Sequence, residues 1–280
     1  MQKQDLPRKQ GAHTLGMCST FLLDMDGTLY LGEQLLPGAK ELLAYLNSTR
    51  RQFFYLTNNS SKDKQAYVKK LKKLGLPCSE KQIFSSADAT TLYLRKYQPK
   101  VNAIYLLGNQ KLRQHFLDAG FNLCQQASQA QLVVVGFDTE LTYDKLWQAC
   151  EKIKQDGFYV ATHPDYVCPL EAGRFMPDAG SISALIEAAT GVVPEVVGKP
   201  NQLMIEMIKE QYQIEGELAM VGDRLYTDIE LGNKANIISV LVLSGETTIE
   251  TYLASKIRAN YIFANCAELL SYLHSYDQGK

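Results

Sequence analysis

Phe21-Leu22-Leu23-Asp24-Met25-Asp26-Gly27-Thr28-Leu29 decides the fold. An apolar run with no polar alternation reads as a parallel strand buried on both faces. It ends in two carboxylates one residue apart, and a Gly and a Thr then turn the chain. In an open α/β sheet, ligands bind beyond the carboxyl ends of the strands, so Asp24 and Asp26 are expected at a binding mouth. Period-two alternation places them on one side, facing one small ligand. Two like charges so close call for a shared cation or proton. Taken alone, the D-x-D reads equally as a strand followed by an acidic turn, so the rest of the chain has to separate the two.

Three further strand ends do so. Phe53-Phe54-Tyr55-Leu56 runs into Thr57-Asn58-Asn59-Ser60-Ser61, where Ser60 or Ser61 is expected to cap the next helix. Leu218-Ala219-Met220-Val221 runs into Gly222-Asp223-Arg224-Leu225-Tyr226-Thr227-Asp228. Val192 to Val197 leads to Gly198-Lys199-Pro200. In a parallel sheet these ends share one edge, which gathers four carboxylates, one ammonium, and hydroxyl and amide donors. The carboxylate excess suits a divalent cation with oxygen ligands, and Mg²⁺ is the usual partner of a phosphate substrate. Lys199 and the donors are then left for phosphate oxygens, which is the inventory of phosphoryl transfer.

Between the ends at Thr57 and Lys199, from about residue 85, a separate βαβ-like series intervenes. Its strands are expected at Ala103 to Leu107, Leu132 to Phe137 and Phe158 to Thr162, and its helices at Ala87 to Tyr97, Lys111 to Ala119, Leu141 to Gln155 and Ile182 to Thr190. The strand Phe158 to Thr162 runs into the loop His163-Pro164-Asp165-Tyr166-Val167-Cys168-Pro169. The fold class is therefore α/β, a doubly wound parallel-sheet (Rossmann-like) core with an inserted smaller α/β domain. Residues 1–17 are expected to be a disordered or flexible extension, 18–84 plus 193–280 the core, and 85–192 the insertion.

Composition narrows the function. With 280 residues, 46% apolar and 21% charged, the chain has ordinary globular character. A net charge of −1 gives no basic footprint, so nucleic acid is not an expected partner. Lys62 to Lys73 is lysine-rich, but Tyr67, Leu71 and Leu74 at i, i+4 and i+7 make it the solvated face of an amphipathic helix. Six scattered cysteines without C-x-x-C suit free thiols in a reducing compartment, and the four histidines lack metal-ligand spacing. No apolar run approaches the ~20 residues of a membrane helix. A cytoplasmic protein without membrane partners is expected. G-x-x-x-x-G-K-[ST], G-x-S-x-G and G-x-G-x-x-G are all absent, which removes the P-loop, serine-hydrolase and dinucleotide readings.

Asp24-Met25-Asp26-Gly27-Thr28-Leu29, Thr57-Asn58-Asn59, Lys199 and Gly222-Asp223-Arg224-x-x-Thr227-Asp228 resemble, in order, the four motifs of the haloacid-dehalogenase-like phosphatase superfamily. Val135-Gly136-Phe137-Asp138, Ala161-Thr162-His163-Pro164-Asp165 and Val197-Gly198-Lys199-Pro200 are similar to its NagD / p-nitrophenylphosphatase branch, whose C2-type cap is inserted between the second and third motifs. The resemblance covers roughly residues 18 to 275. It implies Asp24 as the nucleophile that forms an aspartyl-phosphate, and Asp26 as the general acid and then base. It implies Mg²⁺ held by Asp24, the Asp26 backbone carbonyl and Asp223, with Asp228 either behind these ligands or joined to the ion through water. Thr57, Asn58 and Asn59 would bind the phosphoryl group, and Lys199 would neutralise it while restraining Asp24. A cap loop of His163, Asp165, Tyr166 and Cys168, extended by Glu171 and Arg174, would contact the leaving group; as a bare sequence it reads also as a Pro-rich interdomain turn. Relatives acting on cofactor or glycolate phosphates carry a basic or imidazole group near the Cys168 position, which this chain lacks. The implied activity is Mg²⁺-dependent hydrolysis of small organophosphates (nucleoside monophosphates, sugar phosphates, p-nitrophenyl phosphate), with a phosphotransferase or phosphomutase as the alternative. The expected partner is a small phosphorylated metabolite, and a homodimer through the cap is a further expectation.

Overall fold

The computed structural model describes residues 14–169 and 174–279. Contacts divide the chain into two units. One comprises residues up to Thr57, Tyr67–Phe84 and the chain from Pro200; the other comprises Asn58–Ala66 and Ser85–Lys199.

The first unit is built on a six-stranded sheet. Its order is Tyr261–Phe263, Ile238–Val242, Leu218–Gly222, Thr20–Leu23, Gln52–Thr57, Ile83–Ser85. Thr20–Leu23 pairs in parallel with both Gln52–Thr57 and Leu218–Gly222, in register from Thr20↔Gln52 and Thr20↔Leu218. The chain runs outward on one side to Ile83–Ser85, then resumes on the other flank of Thr20–Leu23 and runs outward again. That reversal is the doubly wound order, and it puts the topological switch point between Thr20–Leu23 and Leu218–Gly222. Phe21, Leu22 and Leu23 are fully buried, as the unbroken apolar run requires. Helices Ala39–Ser48 and Cys266–Gln278 contribute Leu42, Leu43, Leu46, Leu269 and Leu273 to the same apolar cluster as Phe21, Leu23 and Val221.

Packed chain begins earlier than the expected boundary at residue 18. Leu15–Met17 forms a 3₁₀ turn, Leu15 is buried in the core cluster, and the Arg51 guanidinium donates to the Gly16 carbonyl at 3.0 Å. A buried Leu and a charge-assisted bond hold this stretch against fraying. The rest of the expected extension lies outside the described residues.

The second unit carries its own parallel sheet, in the order Glu195–Val196, Val160–Ala161, Leu132–Val135, Ala103–Leu107, Asn122–Leu123. Tyr105, Val133, Val135, Ile153, Tyr159, Ile182 and Ile186 form its core with helices Tyr143–Asp156 and Ala179–Thr190. The expected boundary at 192/193 moves to Lys199/Pro200, because Glu195–Val196 pairs with Val160–Ala161 and belongs to this sheet. Residues 58–66 also join this unit: Asn109 donates to the Ser61 carbonyl, and Ser60 Oγ accepts from the Phe137 N–H.

Two local expectations are corrected. The lysine-rich helix Lys64–Lys73 buries Tyr67 and Leu71 as its spacing requires, but its first turn is held by Asp63, whose carboxylate accepts from the Ala66 N–H at 2.8 Å. Neither Ser60 nor Ser61 supplies that cap. The His163-to-Pro169 stretch does not end as a loop: Val167–Pro169 pairs antiparallel with Phe175–Pro177 as a hairpin. None of the six cysteines forms a disulfide among the described residues, and no helix there is long and apolar enough to cross a membrane.

Candidate active site

At the switch point the first strand is prolonged by one residue, the Asp24 N–H donating to the Val221 carbonyl at 2.9 Å. The chain then folds back on itself. Met25 accepts from Leu29 at 2.9 Å, and the Gly27 N–H donates to Tyr30 at 2.8 Å. Gly27 has φ 83°, a left-handed conformation that glycine adopts without steric cost. A Cβ there would also stand 2.3 Å from Asp223 Oδ2. The Gly of D-x-D-G-T is thus needed twice, for the turn and for the close approach of a carboxylate from another strand.

Gly222 ends the neighbouring strand, and Asp223 follows it, its Oδ2 accepting from the Glu246 N–H at 2.7 Å. Leu225–Ile229 is a π-helical turn, a rare form often found at functional sites. It brings Asp228 back so that its Oδ2 accepts from the Arg224 N–H at 3.1 Å. A Cβ on Gly222 would lie 2.3 Å from the Asp228 side chain, and one on Gly245 2.0 Å from Asp223 Oδ2. Glycines therefore clear the space that the two carboxylates occupy.

The result is a cluster in which carboxylate oxygens of Asp24, Asp223 and Asp228 lie within 4.8 Å of one another; Asp24 is half-buried and the other two are buried. Three like charges at this spacing are mutually unfavourable unless a cation joins them. Arg224 supplies part of the compensation. Burial alone would lower its pKa, but the carboxylates of Asp24, Glu246 and Asp223, with Tyr226, outweigh burial and raise it. Glu246 Oε2 lies 3.0 Å from Arg224 Nε, so much of that one positive charge is already engaged. The remaining negative charge, carried by hard oxygen donors, fits a divalent cation of the Mg²⁺ type.

Asp26 behaves differently. It is exposed, and its carboxylate is not part of the cluster. The strand ends at Leu23, so Asp26 is placed by the turn centred on Gly27 rather than by the expected period-two alternation. The two carboxylates thereby acquire different surroundings. Thr57, the last residue of Gln52–Thr57, is buried at the same edge of this sheet.

The other predicted residues belong to the second unit. Lys199 is buried there, only 3% exposed. Asn58 Oδ1 accepts from the Lys199 N–H at 2.8 Å, while its Nδ2 donates to the Lys199 carbonyl at 2.9 Å and to Asp165 Oδ1 at 3.2 Å. A carboxamide has two N–H groups, and both are used here, so the expected contact of Asn58 with a phosphoryl group would fall to its main chain. Asn59 Oδ1 accepts from the Ser61 N–H and hydroxyl at 2.9 and 2.7 Å, which makes it a turn-forming residue.

Within the cap loop, His163 is likewise corrected. It is wholly buried, its Nδ1 2.8 Å from Thr162 Oγ1 and its Nε2 3.0 Å from Asp178 Oδ1, so both ring nitrogens are committed inside the fold. Burial works against its charged form, but the hydrogen bond and charge of Asp178, with the charge of Asp165, prevail and raise its pKa. Tyr166 is exposed and Cys168 half-buried on the hairpin, with Asn59 Nδ2 4.0 Å from Cys168 Sγ. Arg174 is exposed, and Glu171 lies outside the described residues. Sequence reasoning gave no role to Arg224 or Glu246. Arg224 stood inside a quoted motif, whereas nothing in the local sequence marks Glu246.

Two family models match this chain, one described as haloacid dehalogenase-like hydrolase over residues 21–122 and one as HAD-hydrolase-like over 196–269. An acid sugar phosphatase of Staphylococcus epidermidis is 32% identical across 87% of this chain and 93% of its own length. Among solved structures, the 4-nitrophenylphosphatase of Thermotoga maritima aligns with a TM-score of 0.86 and 42% identity, covering 92% of this chain and 98% of that one. NagD from E. coli K-12 aligns with a TM-score of 0.82 and 27% identity, covering 90% and 98%.

Proposed function

The chain belongs to the haloacid dehalogenase-like hydrolases, and from that premise we propose that it is a Mg²⁺-dependent phosphomonoesterase acting on small organophosphates. The observation that carries the reading is the cluster of Asp24, Asp223 and Asp228 at the switch point of the core sheet, with Asp26 beside it in a different environment.

Asp24 Oδ attacks phosphorus, the P–O bond to the leaving alcohol breaks, and Asp26 gives that oxygen a proton. This leaves a phosphoryl group on Asp24. Asp26, now a carboxylate, takes a proton from water as the water attacks phosphorus, releasing inorganic phosphate and regenerating Asp24. Asp24, Asp223 and Asp228 would hold the cation, whose contribution is to offset charge on the phosphate oxygens. Arg224 offsets part of the charge of the carboxylate cluster. The assignment of Thr57 and Lys199 to the phosphoryl oxygens rests on the family motif, as does the general acid role of Asp26.

The substrate class follows from the relatives, which act by name on sugar phosphates and on 4-nitrophenyl phosphate. Nucleoside monophosphates are the further class to screen. The test is phosphate release from p-nitrophenyl phosphate and a panel of these esters with Mg²⁺ present or chelated. Release that stops with EDTA supports the proposal. Phosphate that moves only when an acceptor sugar is supplied would make the protein a phosphotransferase or phosphomutase instead.

A further inference from the structure

Lys199 closes an extended segment whose main chain is fixed on both sides. Upstream, the Val197 and Gly198 N–H groups donate to Ala161 and Thr162 at 3.1 and 2.8 Å, continuing the ladder of the Glu195–Val196 strand. At Lys199 the ladder partner is a side chain 141 residues away: Asn58 Oδ1 receives the N–H and Asn58 Nδ2 meets the carbonyl. Gly198 permits this approach, since a Cβ there would stand 2.8 Å from Asn58 Oδ1 and 2.6 Å from the Thr162 carbonyl.

A carboxamide can be turned over, exchanging its oxygen and nitrogen, and the reversed form would set N–H against N–H and oxygen against oxygen at Lys199. The third bond removes that freedom, because the Asp165 carboxylate accepts only from nitrogen. Asp165 is itself fixed, its carbonyl accepting from the Gly180 N–H at 2.9 Å. Its position is two residues before the Val167–Pro169 strand of the hairpin, so the hairpin and the lysine are joined through one amide.

We infer that Asn58 and Asp165 are positioning residues for Lys199: Asn58 clamps the lysine's peptide groups from both sides, and Asp165 fixes the orientation of that clamp. The inference rests on the reading of Lys199 as the cation that meets the phosphate. Asn58 then serves catalysis through a lysine backbone, and Asp165 serves specificity by linking the hairpin to that lysine rather than by touching the leaving group.

The test is a double-mutant cycle with p-nitrophenyl phosphate and Mg²⁺, following kcat, KM and the inhibition constant of inorganic phosphate. Asn58→Ala lowers kcat/KM by roughly 10²-fold, the scale of a misplaced catalytic group. Asp165→Ala lowers it by about tenfold, for the loss of one charge-assisted bond. The double variant is no slower than Asn58→Ala, because Asp165 acts only through Asn58. Asp165→Asn, which keeps an acceptor oxygen, recovers most of the loss, and phosphate inhibition weakens in step with kcat/KM across the set. Losses that multiply in the double variant would overturn the inference, as would equal losses in Asp165→Ala and Asp165→Asn. That second comparison decides the matter even if Asn58→Ala does not fold. A wild-type protein that releases no phosphate would count against the phosphomonoesterase reading instead.

Discussion

Both units of this protein place polar side chains just beyond the carboxyl ends of parallel strands, yet they treat those groups in opposite ways. In the inserted unit three of them are matched internally. Asn109 accepts from the Leu112 N–H and donates to the Ser61 carbonyl; Asp138 accepts from the Glu140 N–H and pairs with Lys145 at 3.3 Å; His163 pairs with Asp178. In the core unit the strand ends bring Asp24, Asp223 and Asp228 into one cluster of a single sign, beside an arginine that Glu246 already engages. Buried polar groups that find partners within the fold stabilise and specify it, whereas a same-sign cluster is stable only with a cation from outside. The topology is common to both sheets, and the charge balance at their edges marks which one is a reaction site.

Removing charge should therefore have opposite effects in the two units. The largest effect expected is on activity: Asp24→Asn lowers turnover of p-nitrophenyl phosphate by at least ~10³-fold, as loss of a nucleophile does. The same substitution relieves repulsion, so the metal-free variant melts no lower than wild type. A metal-free variant that melts clearly lower would break the contrast, since Asp24 would then be behaving as a matched carboxylate.

In the inserted unit Asp178→Asn keeps the cap acceptor for the Ala179 N–H but strips the buried His163 of its counter-charge. A loss of about 3 kcal/mol is expected in urea unfolding. It depends on pH in a defined sense. The folded-state pKa of His163 lies above its ordinary value, so the pair's contribution is complete below the imidazole range near 6.5. It fades as pH rises through the raised pKa. The gap between wild type and variant should be wide at acidic pH and narrow at alkaline pH, and a gap that widened with pH would show that His163 is held neutral.

The smallest effect isolates the space around the cluster. In Gly245→Ala the new Cβ falls 2.0 Å from Asp223 Oδ2, and the carboxylate has to move. About 1–3 kcal/mol of stability should be lost, the range for overpacking. The more telling measurement is the stabilisation by Mg²⁺, which in wild type should reach about 2.7 kcal/mol at a hundred times the dissociation constant. Calorimetry that found it undiminished in Gly245→Ala would detach Asp223 from the cation.

The features legible in the sequence were those determined within a few residues. Apolar runs ending in Asp24, Thr57 and Asp223 gave the core strands and their polar ends, and Tyr67 and Leu71 marked the buried face of the lysine-rich helix. What stayed hidden depended on distant partners. Asn58 looked like a phosphate donor because nothing near it in sequence shows that Lys199 takes up its carboxamide. His163 read as part of a cap loop or a Pro-rich turn because Asp178, which holds it inside, follows a hairpin that the Pro-rich composition disguised. The divergence of Asp24 from Asp26 was hidden for a local reason: alternation stops where the strand stops, and the turn at Gly27 takes over.

The strand Thr20–Leu23 has a further consequence, for the order in which the protein is made. Its partner Leu218–Gly222 lies nearly two hundred residues later, so the centre of the core sheet cannot close on a ribosome that has not yet passed Leu218. Every strand of the inserted sheet lies before Pro200 and can pair sooner. Contacts that are distant in sequence form late, and domains tend to fold as units while the chain emerges. The half-made core thus waits, its Asp24 already synthesised, until Asp223 and Asp228 arrive. The three carboxylates come together only once Asp228 has been made, so a chain truncated before it can hold a folded insertion and still lack the cluster.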